Sequence, residues 1–133
     1  LSDGHREAPA IAPLSADVQV VLLAPPREDL YARCNDRFET MMAQGALDEV
    51  AALVGRGLDP SLPAMKALGV PELAAHLSGG MTREAAVKKA KQATRNFAKR
   101  QMTWFRNQIE KPDVIFAQYS ERMYEKIFSK ICF

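Results

Sequence analysis

Residues 83–106 read Arg-Glu-Ala-Ala-Val-Lys-Lys-Ala-Lys-Gln-Ala-Thr-Arg-Asn-Phe-Ala-Lys-Arg-Gln-Met-Thr-Trp-Phe-Arg, and they follow Gly79-Gly80-Met81-Thr82. The glycine pair ends whatever helix precedes it, Thr82 suits the N-cap of a new one, and Glu84 puts a negative charge on the positive end of its dipole. Projected at about 100° per residue, Lys88, Lys91, Arg95, Lys99 and Arg106 fall on one narrow stripe, while Ala86, Ala90, Ala93, Phe97 and Trp104 fall opposite. The pattern predicts a helix with one core face and one cation face. The window holds eight Lys or Arg residues against the single acid Glu84. Cations stacked at three- and four-residue spacing repel one another by a few tenths of a kcal/mol per pair, which a polyanion would relieve. A basic run of this kind is often only a solvated face, but the segregation of its charges points to RNA.

Working upstream, Val18 to Leu23 is a short β-branched and leucine run closed by Pro25-Pro26, the pattern of a strand buried on both faces. Pro26 suits the first turn of a helix reaching Gln44, with Glu28 and Asp29 at its positive end and Leu30, Cys34, Phe38, Met41 and Met42 as its apolar face. After Gly45, the residues Leu47, Val50, Ala51 and Val54 form a second helical stripe that stops at Gly55 and Gly57. Leu58 to Pro71 holds Pro60, Pro63, Gly69 and Pro71, so a loop is expected there with at most one short helix around Ala64 to Leu68. A helix from Pro71 to Leu77 should then form a hairpin with the basic one. Downstream, Val114 to Ala117 suits a short strand, and Ser120 suits the cap of a terminal helix with Met123, Ile127, Phe128 and Ile131 inward. Residues 1–17 show no periodicity and read as a linker or a truncated end, which leaves 18–110 as the main body and 111–133 as a short strand and terminal helix.

The chain has 133 residues and 47% apolar content, enough for one domain with a real core. Its net charge of +2 conceals an asymmetry, because residues 1–65 carry five basic and ten acidic side chains. Cys34 and Cys132 make no ligand spacing with His5 or His76 and read as reduced core thiols. His76 has no partner acid at dyad spacing and reads as a surface or packing histidine, while Ser61 and Ser78 have no base nearby for nucleophilic chemistry. No signal segment and no apolar run near 18 residues is visible, so membrane association is not expected and a cytoplasmic location is.

Three segments in order, Leu30-Tyr31-Ala32-Arg33-Cys34-Asn35-Asp36-Arg37-Phe38, Leu62-Pro63-Ala64-Met65-Lys66-Ala67-Leu68-Gly69, and Ala93 through Arg106, resemble the C-terminal part of the bacterial tRNA dimethylallyltransferases. The Gly45 turn, Asp48-Glu49 and Gly57-Leu58 between them also resemble that family, so the likeness spans about residues 18–108. The resemblance implies an α/β fold overall, a P-loop-like core with a helical insertion, of which this chain would be a mostly α-helical part with one or two short strands. It implies transfer of a dimethylallyl group from dimethylallyl diphosphate to the exocyclic amine of the adenine 3′-adjacent to a tRNA anticodon. It also implies a nucleotide-type phosphate site of the ATP-binding kind and Mg2+. The family's phosphate-binding loop and general-base aspartate lie near its N-terminus. No Gly-x-x-x-x-Gly-Lys-Ser/Thr occurs here, so this chain is expected to hold no Mg2+ site, to need the N-terminal catalytic part as partner, and to be inactive alone.

By the same resemblance, Arg37 matches an arginine of the reaction channel, where a guanidinium holds diphosphate oxygens. Read from the helix alone, Arg37 borders the apolar face and could equally pass Met41 to reach Asp36 or Asp29. The family's contacts with the tRNA anticodon stem-loop map onto Lys66, Ala67, Leu68, Gly69, Val70 and Pro71, and onto Lys99, Arg100, Gln101, Met102, Thr103, Trp104, Phe105 and Arg106. Lys88, Lys91 and Arg95 extend that basic face. Val70 and Pro71 stand where many members have Tyr and Arg. Trp104 could stack on a base, but its place beside Phe97 makes core packing the expectation. Two other readings stay open: a non-catalytic helical tRNA- or RNA-binding module, and a domain whose cations meet an acidic protein.

Overall fold

The computed structural model describes residues 18–110, 112–117 and 119–129. Strand β1 (Val21–Leu23) leads through Pro25-Pro26 into α1 (Arg27–Ala43), and α2 (Ala46–Gly55) follows a left-handed turn at Gly45. A 3-10 turn at Pro63–Lys66 precedes α3 (Val70–Leu77), and α4 (Arg83–Gln108) is the long basic helix. Strand β2 (Asp113–Ile115) then pairs in parallel with β1, and a 3-10 turn at Glu121–Met123 leads into α5 (Tyr124–Phe128).

The register sets Val21 opposite Asp113, Leu22 opposite Val114 and Leu23 opposite Ile115. The chain between the strands is therefore a long helical crossover, as parallel pairing requires. Val18 lies outside the strand and is exposed, so the strand is shorter than the apolar run suggested, and of its three residues only Leu22 is buried. β2 likewise starts one residue before the expected Val114 and ends at Ile115.

The core is a helical cluster of Phe38, Met42, Ala46, Val50, Leu73, Ala86 and Ala90, with Leu73 only 2% exposed and Ala86 and Ala90 fully covered. Alanines let α4 approach α3 and α1 closely, which is where its N-terminal half is seated. Thr82 does cap α4, its hydroxyl accepting from the Ala85 backbone N–H at 3.2 Å. The Glu84 carboxyl is held below the ordinary carboxylate range by its own backbone N–H and then by the Thr82 hydroxyl. His76 closes the α3–α4 turn through Nδ1, 3.0 Å from the Met81 carbonyl oxygen.

Several expected core positions sit elsewhere. Met41 and Val54 are exposed, because α1 and α2 turn Phe38, Met42, Ala46 and Val50 inward instead. Pro26 is the N-cap of α1 and not its first helical residue. Ser120 makes no side-chain cap bond, and Phe128 is exposed, stacked on Tyr124 with ring centroids 4.1 Å apart. Cys34 is a half-buried free thiol, while Cys132, Ile131 and His5 lie outside the described residues.

Candidate nucleic-acid interface

The cation stripe of α4 is divided by its neighbour. Lys91 forms an ion pair with Glu39, and Arg95 donates from Nη1 to Asn35 Oδ1 and from Nη2 to Gln92 Oε1, both at 2.6 Å. Four residues back along α1 corresponds to four forward along α4, so these are successive rungs between antiparallel helices, one turn or about 5.4 Å apart. Lys91 and Arg95 are thus tied to α1, a difference within the stripe that the projection does not show. Helical periodicity reports which residues share a side but not what is packed there. Lys88, Lys99, Arg100 and Arg106 remain exposed.

The aromatic face is corrected. Trp104 is 57% exposed and Phe97 42%, although both were projected onto the core side. Over 26 residues the seat of α4 rotates: the N-terminal half buries Ala86 and Ala90, whereas the C-terminal half buries Ala98 and half-buries Met102 and Phe105. That shift carries Phe97 and Trp104 out of the core. Arg100 lies over the Phe97 ring at 5.8 Å from its centroid, and Trp104 meets Phe105 edge-on at 5.4 Å. Beside them runs an open groove of about 510 Å³ lined by Asn96, Lys99, Arg100, Thr103, Trp104, Asn107 and Gln108. The amides Asn96, Asn107 and Gln108 were missed by the sequence reading. Their signal was the absence of any acid between Glu84 and Glu110.

Of the second expected segment, Lys66, Ala67, Leu68 and Pro71 are exposed, Val70 is half-buried, and Gly69 is buried with φ +93°. A Cβ on Gly69 would stand 3.0 Å from Phe38 Cε2, so this loop is pressed directly onto α1. Arg37 is next to that contact. It lines a cleft of about 120 Å³ with Cys34, Phe38, Met41, Leu68 and Thr94. Among the described residues it forms no ion pair with Asp29 or Asp36, so the guanidinium is not drawn off to either acid.

The arginine on α1, the loop against Phe38 and the acid-free half of α4 thus lie on adjoining surfaces of one helical body. The family model described as IPP transferase matches residues 1–108. The chain belongs to the IPP transferase family. A tRNA dimethylallyltransferase of Phenylobacterium zucineum is 58% identical over 109 residues, which are 82% of this chain and 34% of that protein. One from Rhodospirillum centenum is 65% identical over 85 residues, 64% of this chain and 27% of the relative. Among solved structures, the tRNA delta(2)-isopentenylpyrophosphate transferase of Staphylococcus epidermidis superposes with a TM-score of 0.75 at 33% identity, covering 85% of this chain and 36% of that one. The full-length tRNA isopentenylpyrophosphate transferase of Bacillus halodurans gives 0.69 at 32%, covering 84% and 36%. The chain therefore spans about a third of the length of the family members it matches. It is mostly helical with one short parallel strand pair. Among the described residues no helix is long and apolar enough to cross a membrane.

Proposed function

We propose that this chain is the C-terminal part of a tRNA dimethylallyltransferase, with Lys66–Pro71 and the Lys99–Arg106 end of α4 holding the anticodon stem-loop and Arg37 holding the leaving diphosphate. The observation that carries the proposal is the shared seat: the buried Gly69 rests on Phe38, and Leu68 and Arg37 line one cleft. A tRNA lying on the loop would thereby come close to the arginine.

In the transfer, the exocyclic nitrogen of adenine bonds to C1 of the dimethylallyl group as the C1–oxygen bond to diphosphate breaks. The electron pair leaves on the diphosphate, and the nitrogen loses a proton to a base. Arg37 would act on the leaving side, where a planar guanidinium meets two phosphate oxygens at once and gains strength as their charge grows. On α1 it stands between Asn35 and Glu39, which bond to Arg95 and Lys91 of α4. Among the described residues no three His, Cys, Asp or Glu side chains cluster as a metal site, and no step here is assigned to the Mg2+ that the family resemblance implies. Diphosphate cradling and proton removal fall to the N-terminal part of the same protein, and tRNA modification suits a cytoplasmic location.

The test is turnover with tRNA and labelled dimethylallyl diphosphate. In the full-length protein Arg37→Ala should lower the rate by roughly 100- to 1000-fold, the usual loss for a charge-stabilising donor, with an unchanged melting temperature. An unchanged rate would make Arg37 structural, and turnover by the 133-residue chain alone would overturn the division of labour.

A further inference from the structure

Where α1 begins, the α4 stripe opens again. Beyond the Asn35–Arg95 rung, Arg27 and Tyr31 of α1 and Lys99, Thr103 and Arg106 of α4 line one cleft of about 50 Å³, with Pro25, Leu30 and Met102 as its apolar part. We infer that Arg27, Lys99 and Arg106, with the Tyr31 hydroxyl, form a binding site for a single phosphate group.

Three cations line the cleft and no acid does, although Glu28 and Asp29 follow Arg27 in sequence. Among the described residues none of the three has an ion pair or a side-chain hydrogen bond, in contrast to Lys91 and Arg95 on the same stripe. Their mutual repulsion is uncompensated, and a phosphate removes it while accepting the guanidinium and ammonium protons. The Thr103 hydroxyl already donates to the Lys99 carbonyl at 3.0 Å, which leaves Tyr31 as the neutral donor. A space of this size holds a few waters or one tetrahedral oxyanion, and no base or sugar. It also opens just past the carboxyl end of β1, the side on which parallel α/β sheets receive ligands.

The phosphate could come from the RNA backbone or from a prenyl diphosphate, and the choice between these sources rests on the function proposed above. The experiment uses the full-length transferase with Arg27→Ala, Arg27→Gln and Tyr31→Phe, and a Lys66→Ala/Arg100→Ala double variant, whose two cations belong to the tRNA surface and not to the cleft, as reference. Two probes are titrated: an anticodon stem-loop RNA between about 50 and 200 mM salt, and inorganic pyrophosphate. If the ligand is RNA, both Arg27 variants flatten the log–log salt slope by about 0.7 to 0.9, a roughly threefold change in relative affinity across that range, and pyrophosphate binding is unaltered. If it is the diphosphate, pyrophosphate binding weakens about tenfold or more and the RNA slope is kept. Tyr31→Phe should weaken the same probe to a smaller degree. Both probes unmoved by both Arg27 variants would overturn the site, and if the double variant still flattens the slope, the tRNA reading survives that loss. A double variant without effect on RNA would sink the tRNA reading instead, and the phosphate site would then stand or fall on pyrophosphate alone.

Discussion

Replacing Gly69 by alanine tests how firmly the Lys66–Pro71 loop is anchored. Two penalties are separable in the structure. At φ +93° an L side chain is strained by about 1 to 2 kcal/mol. The new Cβ would also stand 3.0 Å from Phe38 Cε2, and Phe38 is only 4% exposed and wedged in the main core, so the ring cannot swing aside. Overpacking of that kind costs about 1 to 3 kcal/mol. The expected total is about 2 to 5 kcal/mol, met either by unfolding or by the loop lifting from α1. Thermal unfolding and tRNA binding, measured together on the full-length protein, distinguish the routes: a melting temperature lower by several degrees for the first, weaker tRNA binding at nearly constant melting temperature for the second. A double-mutant cycle isolates the contact. In a Phe38→Leu background the steric part disappears, so the added cost of Gly69→Ala should fall to the backbone part of about 1 to 2 kcal/mol. If Gly69→Ala changes neither stability nor tRNA affinity, or costs as much with leucine at 38 as with phenylalanine, the seating of the loop on Phe38 is not what fixes it.

The division of the cation stripe predicts that Arg95→Ala leaves the salt slope of tRNA binding unchanged while lowering stability, since Arg95 bonds Asn35 and Gln92; replacing Lys99 and Arg100 together should reduce the slope by up to about 2. A slope reduced by Arg95→Ala to a similar extent per charge would mean that Arg95 faces RNA. At the other end of α4, Thr82→Ala should cost about 0.5 to 2 kcal/mol in chemical denaturation through loss of the bond to Ala85 N–H. Because the Glu84 carboxyl is held low by its backbone N–H and by Thr82, its stabilisation is present at neutral pH and fades as pH falls through and below the carboxylate range. The melting temperatures of the parent and Glu84→Gln should therefore converge in acid, and a gap that persists there would remove the charge from the explanation.

The sequence by itself determined the helices, because their stop signals are local. Gly45, Gly57, Gly69 and Gly79 all take positive φ where the chain must turn, and Thr82 starts α4 with its own hydroxyl. It also determined the family, since the motifs around Arg37, Gly69 and Lys99 through Arg106 are contiguous stretches. What it could not determine was which face of α4 meets which neighbour. A projection treats 26 residues as one cylinder with one buried side, whereas the first half of α4 turns Ala86 and Ala90 inward and the second half Ala98, Met102 and Phe105. That rotation exposed Trp104 and Phe97, and the antiparallel rungs to α1 tied Lys91 and Arg95 while leaving Lys99 and Arg106 beside Arg27. Local signals set where a helix begins and ends. Only the packing of α1 against α4, with residues sixty positions apart at the Asn35–Arg95 contact, decided which charges are structural and which are left for a ligand.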